Sequence, residues 1–154
     1  MKTQFDETDI EILDILQKDG RITNADLAKA VGLSAPSVLQ RVRNLEQVGV
    51  IKQYVTILDA EKLGRKLNAF VNVSLALHEE KPIERFYKAI GEIPEVMEVH
   101  NITGEYDFIL KVVVRDMRHY ERVLRDKLTK IRGIEKLNTS FILSTHKNST
   151  AIPL

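Results

Sequence analysis

Three times between Phe5 and Val38 the chain repeats one local device: a short polar residue, an apolar residue just before it, and another four places after it. The polar residues are Asp6, Thr23 and Ser34, and the apolar pairs are Phe5/Ile10, Ile22/Leu27 and Leu33/Val38. Each set is a helix N-cap with a hydrophobic staple, and Asp9 and Asp26 add negative charge in the first turn. Gly20, Gly32 and Gly49 fall where such helices should stop. This pattern predicts helices over residues 7–18, 24–31 and 35–47 with very short connections. Ile10, Leu13 and Leu16 form the buried stripe of the first, widened by Ile12 and Ile15. The second buries Leu27, Ala28 and Val31, and the third Val38, Val42 and Leu45. Gly32-Leu33-Ser34 is a tight turn of the helix-turn-helix kind, and Val50 to Val55 reads as a short β segment able to form a wing.

Opposite the apolar stripe of the third helix lie Ser37, Gln40, Arg41 and Asn44, spaced to share one face. Arg can bind guanine bidentately, and Gln or Asn can do the same to adenine. Ser34 at the helix N-terminus, with Arg43 and Lys52, is placed to meet phosphates. From Ser34 to Gln53 the charges are Arg41, Arg43 and Lys52 against Glu46, so this surface is locally basic. The part of the chain that carries it is not: through Lys62 there are 8 Lys and Arg against 10 Asp and Glu, and beyond it 15 against 12. Two readings therefore stand side by side. The face reads double-stranded DNA as a dimer at palindromic sites, or the chain is a sensing and assembly protein with little specific DNA binding.

The rest of the chain changes period. Leu67, Ala69, Val71, Val73, Leu75 and Leu77 alternate as one face of a strand. Pro82 opens a helix with Ile83, Phe86 and Ile90 on one side, ended by Gly91. Val96–Ile102 and Tyr106–Val114 are strands joined at Thr103-Gly104-Glu105. Asp116 caps a helix carrying Met117, Tyr120, Val123, Leu124, Leu128 and Ile131, ended by Gly133, and Ile134–Ser144 is the last strand. The order β-α-β-β-α-β is the ferredoxin-like arrangement. The fold class is thus α+β, with a DNA-binding part at 1–55, a linker at 56–66 and a second domain at 67–154. The second face of the predicted sheet shows Phe70, Ala76 and their neighbours, which a second subunit would cover.

No constellation of catalytic groups is present. The chain has no cysteine, which excludes disulfides and thiolate metal sites and fits a reducing cytoplasm. Its four histidines are scattered, no phosphate-binding glycine loop or nucleophile elbow occurs, and no cofactor is expected. No apolar run is long enough for a membrane span, and the acidic N-terminus is unlike a secretory signal. Glu79-Glu80 and the set Arg115, Arg118, Arg122 and Arg125 read as solvated charge, the arginines alternatively as a contact to a neighbouring subunit.

Several strings resemble the leucine-responsive/asparagine-type (Lrp/AsnC) regulators. They are Asp9-Ile-Glu-Ile-Leu13, Asp19-Gly-Arg21, Asp26-Leu-Ala28, Val31-Gly-Leu-Ser34, Arg41-Val-Arg-Asn-Leu-Glu46 and Gly49-Val-Ile51. Later in the chain follow Val99 through Asp107, Leu128 to Ile134, and Pro153-Leu154. The resemblance implies a winged helix-turn-helix joined to an amino-acid-sensing domain, dimers that assemble further into octamers, and an effector bound between dimers. It places the effector-responsive positions on Asn101, Asp107, Met117 and Ser140 with Phe141, around Thr103, Gly104 and Tyr106. A glycine turn offers backbone amides to a carboxylate, and Asp107 offers a partner to an α-amino group.

Overall fold

The computed structural model describes residues 5–76 and 82–154. It divides into two compact units: one runs to Ile57 and includes His146–Leu154, the other spans Leu58–Thr145.

In the first unit, helices α1 (Glu7–Leu16), α2 (Asn24–Ala30) and α3 (Ala35–Gln47) begin at the three anticipated caps. The Asp6 carboxylate accepts from the Asp9 amide at 2.8 Å, and Asp9 returns the bond to Asp6 N, a reciprocal capping box. Thr23 Oγ1 accepts from Asp26 N at 3.1 Å, and Ser34 Oγ from Ser37 N at 3.3 Å. Between α2 and α3 the turn is a Schellman closure: Leu33 N reaches Ala28 O at 3.0 Å across Gly32, whose φ of 68° suits a residue without Cβ. The core of this unit is Ile12, Leu27, Ala28, Val38, Val42 and Leu45.

Two expectations for this unit are corrected. Ile12, not Ile10, is the fully buried residue of α1, and the helix stops at Leu16, before Gly20. Residues 50–55 are not a strand. After α3, Ile51 N bonds Leu45 O at 3.2 Å, and among the described residues the following segment joins no ladder. Tyr54 ties the segment to α3 by donating from its hydroxyl to Glu46 Oε1 at 3.0 Å. Partial burial and the adjacent carboxylate push that phenol up to about 12, so it stays a neutral donor at physiological pH. The C-terminal segment also joins this unit: Gln17 exchanges two hydrogen bonds of 3.0 Å with the backbone of Ile152.

The second unit is a four-stranded antiparallel sheet in the order β2-β3-β1-β4, from β1 (Leu67–Leu75), β2 (Val96–Asn101), β3 (Phe108–Val114) and β4 (Ile134–Phe141). Helices α4 (Pro82–Gly91) and α5 (Met117–Asp126) cover one face. The strict alternation of Ala69, Val71, Val73 and Leu75 with Phe108, Leu110, Val112 and Val114 packs against Phe86, Ile90, Tyr120, Val123 and Leu128. Ile83, expected in that layer, is about half exposed, and its place is taken by Ile93 beyond the helix. Leu77, His78, Glu79 and Glu80 lie outside the described residues.

Helix α5 ends sooner than its hydrophobic spacing suggests. Thr129 Oγ1 donates to the Arg125 carbonyl at 2.9 Å, and Lys127 leaves helical geometry. A single 3-10 turn, Leu128–Lys130, then drops Leu128 into the core. The last strand stops at Phe141 and β3 starts at Phe108. The uncovered sheet face is more polar than expected. Phe70 is flanked there by Asn68, Asn72 and Ser74 along its own strand and by Lys111 and Ser140 across it.

Candidate nucleic-acid and effector sites

On α3 the buried residues Val38, Val42 and Leu45 fix the rotation of the helix, which turns Ser37, Gln40 and Asn44 outward and exposed. Arg43 and Lys52 are exposed as well. Ser34 and Ser37 face each other across the cap with hydroxyls 2.8 Å apart, so part of their hydrogen-bonding capacity serves the helix start.

Arg41 stands apart from its neighbours. Its Nη1 donates to both Asp6 carboxylate oxygens, at 3.0 and 2.8 Å, and to Asp9 Oδ1 at 2.7 Å. The guanidinium is therefore turned onto the capping box of α1. The bond to Asp9 and then that to Asp6 hold Arg41 above its ordinary pKa. Asp6 lies below the usual carboxylate range because of the Asp9 amide and then Arg41. An Asp whose folded pKa is depressed stabilises the fold at any pH above its unfolded value near 4 and loses that contribution as pH falls through the folded value. Arg41→Ala is expected to lower the unfolding midpoint of the N-terminal unit by a few degrees at pH 7. Asp6→Asn should reproduce part of the loss, and the wild-type advantage should fade below about pH 4. Thermal unfolding of the three proteins at pH 7 and pH 3 checks this; an undiminished Arg41→Ala deficit at pH 3 would show that the arginine acts elsewhere.

In the second unit the expected effector residues fall into two groups. Residues 102–107 form a loop closed by Ile102 N to Asp107 O at 2.9 Å and by Asn101 Nδ2 to the same carbonyl at 2.9 Å. Gly104 has a φ of 122°, a conformation closed to most side chains. Asp107 anchors the loop on β1, with its amide on Val73 O at 2.9 Å and its carboxylate accepting from Leu75 N at 2.7 Å. One carboxylate oxygen is thus committed to the fold. The Lys136 ammonium lies 4.9 Å from the Tyr106 ring centroid and bonds Glu105 Oε1 at 2.7 Å, bracing the loop from β4.

Met117, Ser140 and Phe141 are elsewhere. Ser140 pairs with Phe70 and Phe141 with Ala69, and Met117 follows the end of β3, where Val114 pairs with Leu67. From Phe70, level with Ser140, to Val73, level with Asn101, and on to Leu75, bonded by Asp107, the two groups are about 10–17 Å apart along β1 at roughly 3.3 Å per residue. One subunit does not bring them together. Among the described residues no group of His, Asp and Glu is arranged to hold a metal. Neither the commitment of Arg41 nor the split of the effector set carries a local sequence signal, since each depends on partners more than thirty positions away.

Residues 68–152 match the Lrp/AsnC ligand binding domain, and residues 5–52 a winged helix-turn-helix DNA-binding domain. The chain belongs to the Lrp/AsnC family. Like its relatives in that family it is a DNA-binding transcriptional regulator and not an enzyme, with a reading unit and a ligand-binding unit in one polypeptide. Transcriptional regulator AzlB of Bacillus subtilis (strain 168) is 36% identical over 154 residues, spanning all of this chain and 98% of the relative. The leucine-responsive regulatory protein of Escherichia coli (strain K12) is 36% identical over 148 residues, 96% of this chain and 90% of its own. Among solved Lrp/AsnC structures, a transcriptional regulator from Neisseria meningitidis in complex with L-methionine superposes with a TM-score of 0.94 at 34% identity, covering 97% of each chain. Escherichia coli AsnC superposes with a TM-score of 0.89 at 26% identity, covering 98% of this chain and 100% of that one. No helix among the described residues is long and apolar enough to cross a membrane.

Proposed function

We propose that this regulator reads palindromic promoter DNA as a homodimer, in the cytoplasm, and that an amino acid tunes its assembly and thereby its DNA binding. Gln40, Asn44 and Ser37 read base edges, Arg43 and Lys52 meet phosphates, and Arg41 holds α1 against the reading helix so that its neighbours are presented in one orientation. Residues 1–55 carry the reading function, 56–66 the connection, and the sheet from Leu67 onward the sensing and assembly function.

The observation that carries the effector part is the division of the expected ligand residues. With Asn101, Thr103, Gly104, Tyr106 and Asp107 at one end of the sheet and Met117, Ser140 and Phe141 at the other, a complete pocket requires a second copy of the chain. A ligand bridging two copies stabilises the assembly that contains both halves, which is how occupancy would be transmitted to the reading helices. The L-methionine bound to the Neisseria relative supports an amino acid as the class of ligand. Higher assembly into octamers extends the same contact.

Asp107→Asn tests the reading of the loop. The amide oxygen keeps the bond to Leu75 N, so the fold survives while the negative charge that would meet an α-amino group is removed. The expected result is a normal unfolding temperature and normal DNA binding without ligand, with the stabilisation by amino acids reduced at least tenfold in concentration dependence. Thermal shift against each of the twenty amino acids measures it. An undiminished response in Asp107→Asn would take this residue out of the site.

A further inference from the structure

The reading face carries little charge for a DNA-binding surface. With Arg41 bound to Asp6 and Asp9, the exposed cations on and just after α3 are Arg43 and Lys52, within a segment that is net acidic through Lys62. Sequence-independent affinity for DNA comes from phosphate contacts, made largely by Lys and Arg, and each adds to the salt dependence. Arg43 and Lys52 alone leave room for cationic phosphate contacts elsewhere in the chain.

The second unit holds an unused concentration of charge. From Arg115 to Arg132 there are seven Lys and Arg against Asp116, Glu121 and Asp126. Tyr120 and Val123 lock the inner side of α5 into the core, so Arg118, Arg122 and Arg125 form an outward stripe at spacings of four and three. Lys130 and Arg132 continue it past the 3-10 turn, also exposed. Of the nearby acids, Asp116 is engaged in capping at His119 N, Asp126 pairs with Arg125, and the exposed Glu121 acts on Arg125 through its charge. Arg118, Arg122 and Arg132 make no ion pair among the described residues. From Arg118 to Arg125 the helix rises about 10 Å, equal to three phosphate steps of one DNA strand at roughly 3.4 Å each. The stripe is made of arginine, whose planar fork matches a phosphate better than an ammonium does.

We propose that Arg118, Arg122 and Arg125, with Lys130 and Arg132, form a second, sequence-independent DNA surface that binds the phosphate backbone of a duplex. This rests on the chain being a DNA-binding regulator and adds a contact that the helix-turn-helix does not supply. Such a surface favours long DNA over isolated sites and makes binding by several subunits on one duplex mutually supportive.

The test uses the full-length protein and a mixed-sequence duplex of about 80 base pairs, with dissociation constants measured across a range of salt. Three proteins are compared: wild type, R118Q/R122Q/R125Q, and R43Q/K52Q. Glutamine keeps the long polar side chain and the helix propensity of α5. For the triple variant the expected slope of log K against log salt is shallower by about 2–3 per bound subunit, near 0.9 for each phosphate no longer neutralised. Its Kd at physiological salt should rise at least tenfold, with sedimentation unchanged. An unaltered slope overturns the proposal, as does a loss of assembly in sedimentation, which would make the stripe a contact to an acidic face of another copy. If only R43Q/K52Q alters the slope, the regulator reading stands and this surface does not. Wild-type protein that fails to bind the duplex at all overturns both.

Discussion

Replacing Gln40 and Asn44 together by alanine is expected to remove sequence preference while leaving the fold and non-specific DNA binding intact. Both side chains are exposed on α3, and neither makes a hydrogen bond within the described chain through its amide. Each good base-edge contact discriminates by about 1–3 kcal/mol, so the pair together is worth roughly 2–6 kcal/mol for the preferred site. Because the two are one helical turn apart, some of that sum would be shared. Binding to mixed-sequence DNA should hardly change, because Arg43, Lys52 and the rest of the cationic surface remain. Competition between the selected site and mixed-sequence duplex gives the specificity ratio directly. A variant that keeps the wild-type ratio would show that another surface reads the bases.

Leu45→Ala is expected to have the larger effect on stability. Leu45 is fully buried among Ile12, Leu27, Ala28, Val38 and Val42, and its carbonyl accepts the bond from Ile51 N that sets the chain leaving α3. Truncating a buried Leu costs about 2–5 kcal/mol, according to how far the cavity collapses. That is a large part of the stability of a unit this small. The N-terminal unit should therefore unfold at a much lower temperature, in a transition separate from that of the sheet unit, whose core shares no residue with it. DNA binding should fall with the first transition while amino-acid stabilisation of the second persists. Calorimetry of the variant with and without ligand checks both. One cooperative transition shifted as a whole would mean that the two cores are energetically one.

The features most legible in the sequence were those decided within a few residues. Asp6, Thr23 and Ser34 cap their helices because a short side-chain acceptor three positions before an amide is a local geometry, and the Gly32 turn is equally local. The alternation of Ala69, Val71 and Val73 likewise determines which strand face is buried. Features set by distant partners were not legible. The polar face of α3 suggests base contacts for Arg41, and nothing local to it signals the bonds that Asp6 and Asp9 make to its guanidinium. Val50–Val55 has the composition of a strand but pairs with no strand among the described residues. Gln17 and Ile152, far apart in sequence, meet through two hydrogen bonds that no periodicity announces. The effector residues read as one cluster until the strand register separated them. Helix α5 kept its hydrophobic spacing past Lys127, although a threonine hydroxyl and the core position of Leu128 end it there.

We propose that α3 confers sequence-specific recognition which an amino acid modulates. A binding selection from genomic fragments at physiological salt, run with and without the twenty amino acids, tests it most directly when wild type and the Gln40/Asn44 double alanine variant are compared side by side. The expected result is a palindromic motif with half-sites about one helical turn apart, recovered by the wild type, altered in occupancy by the amino acids, and absent with the variant. Fragments enriched without a shared motif, or the same motif recovered by the variant, would contradict it.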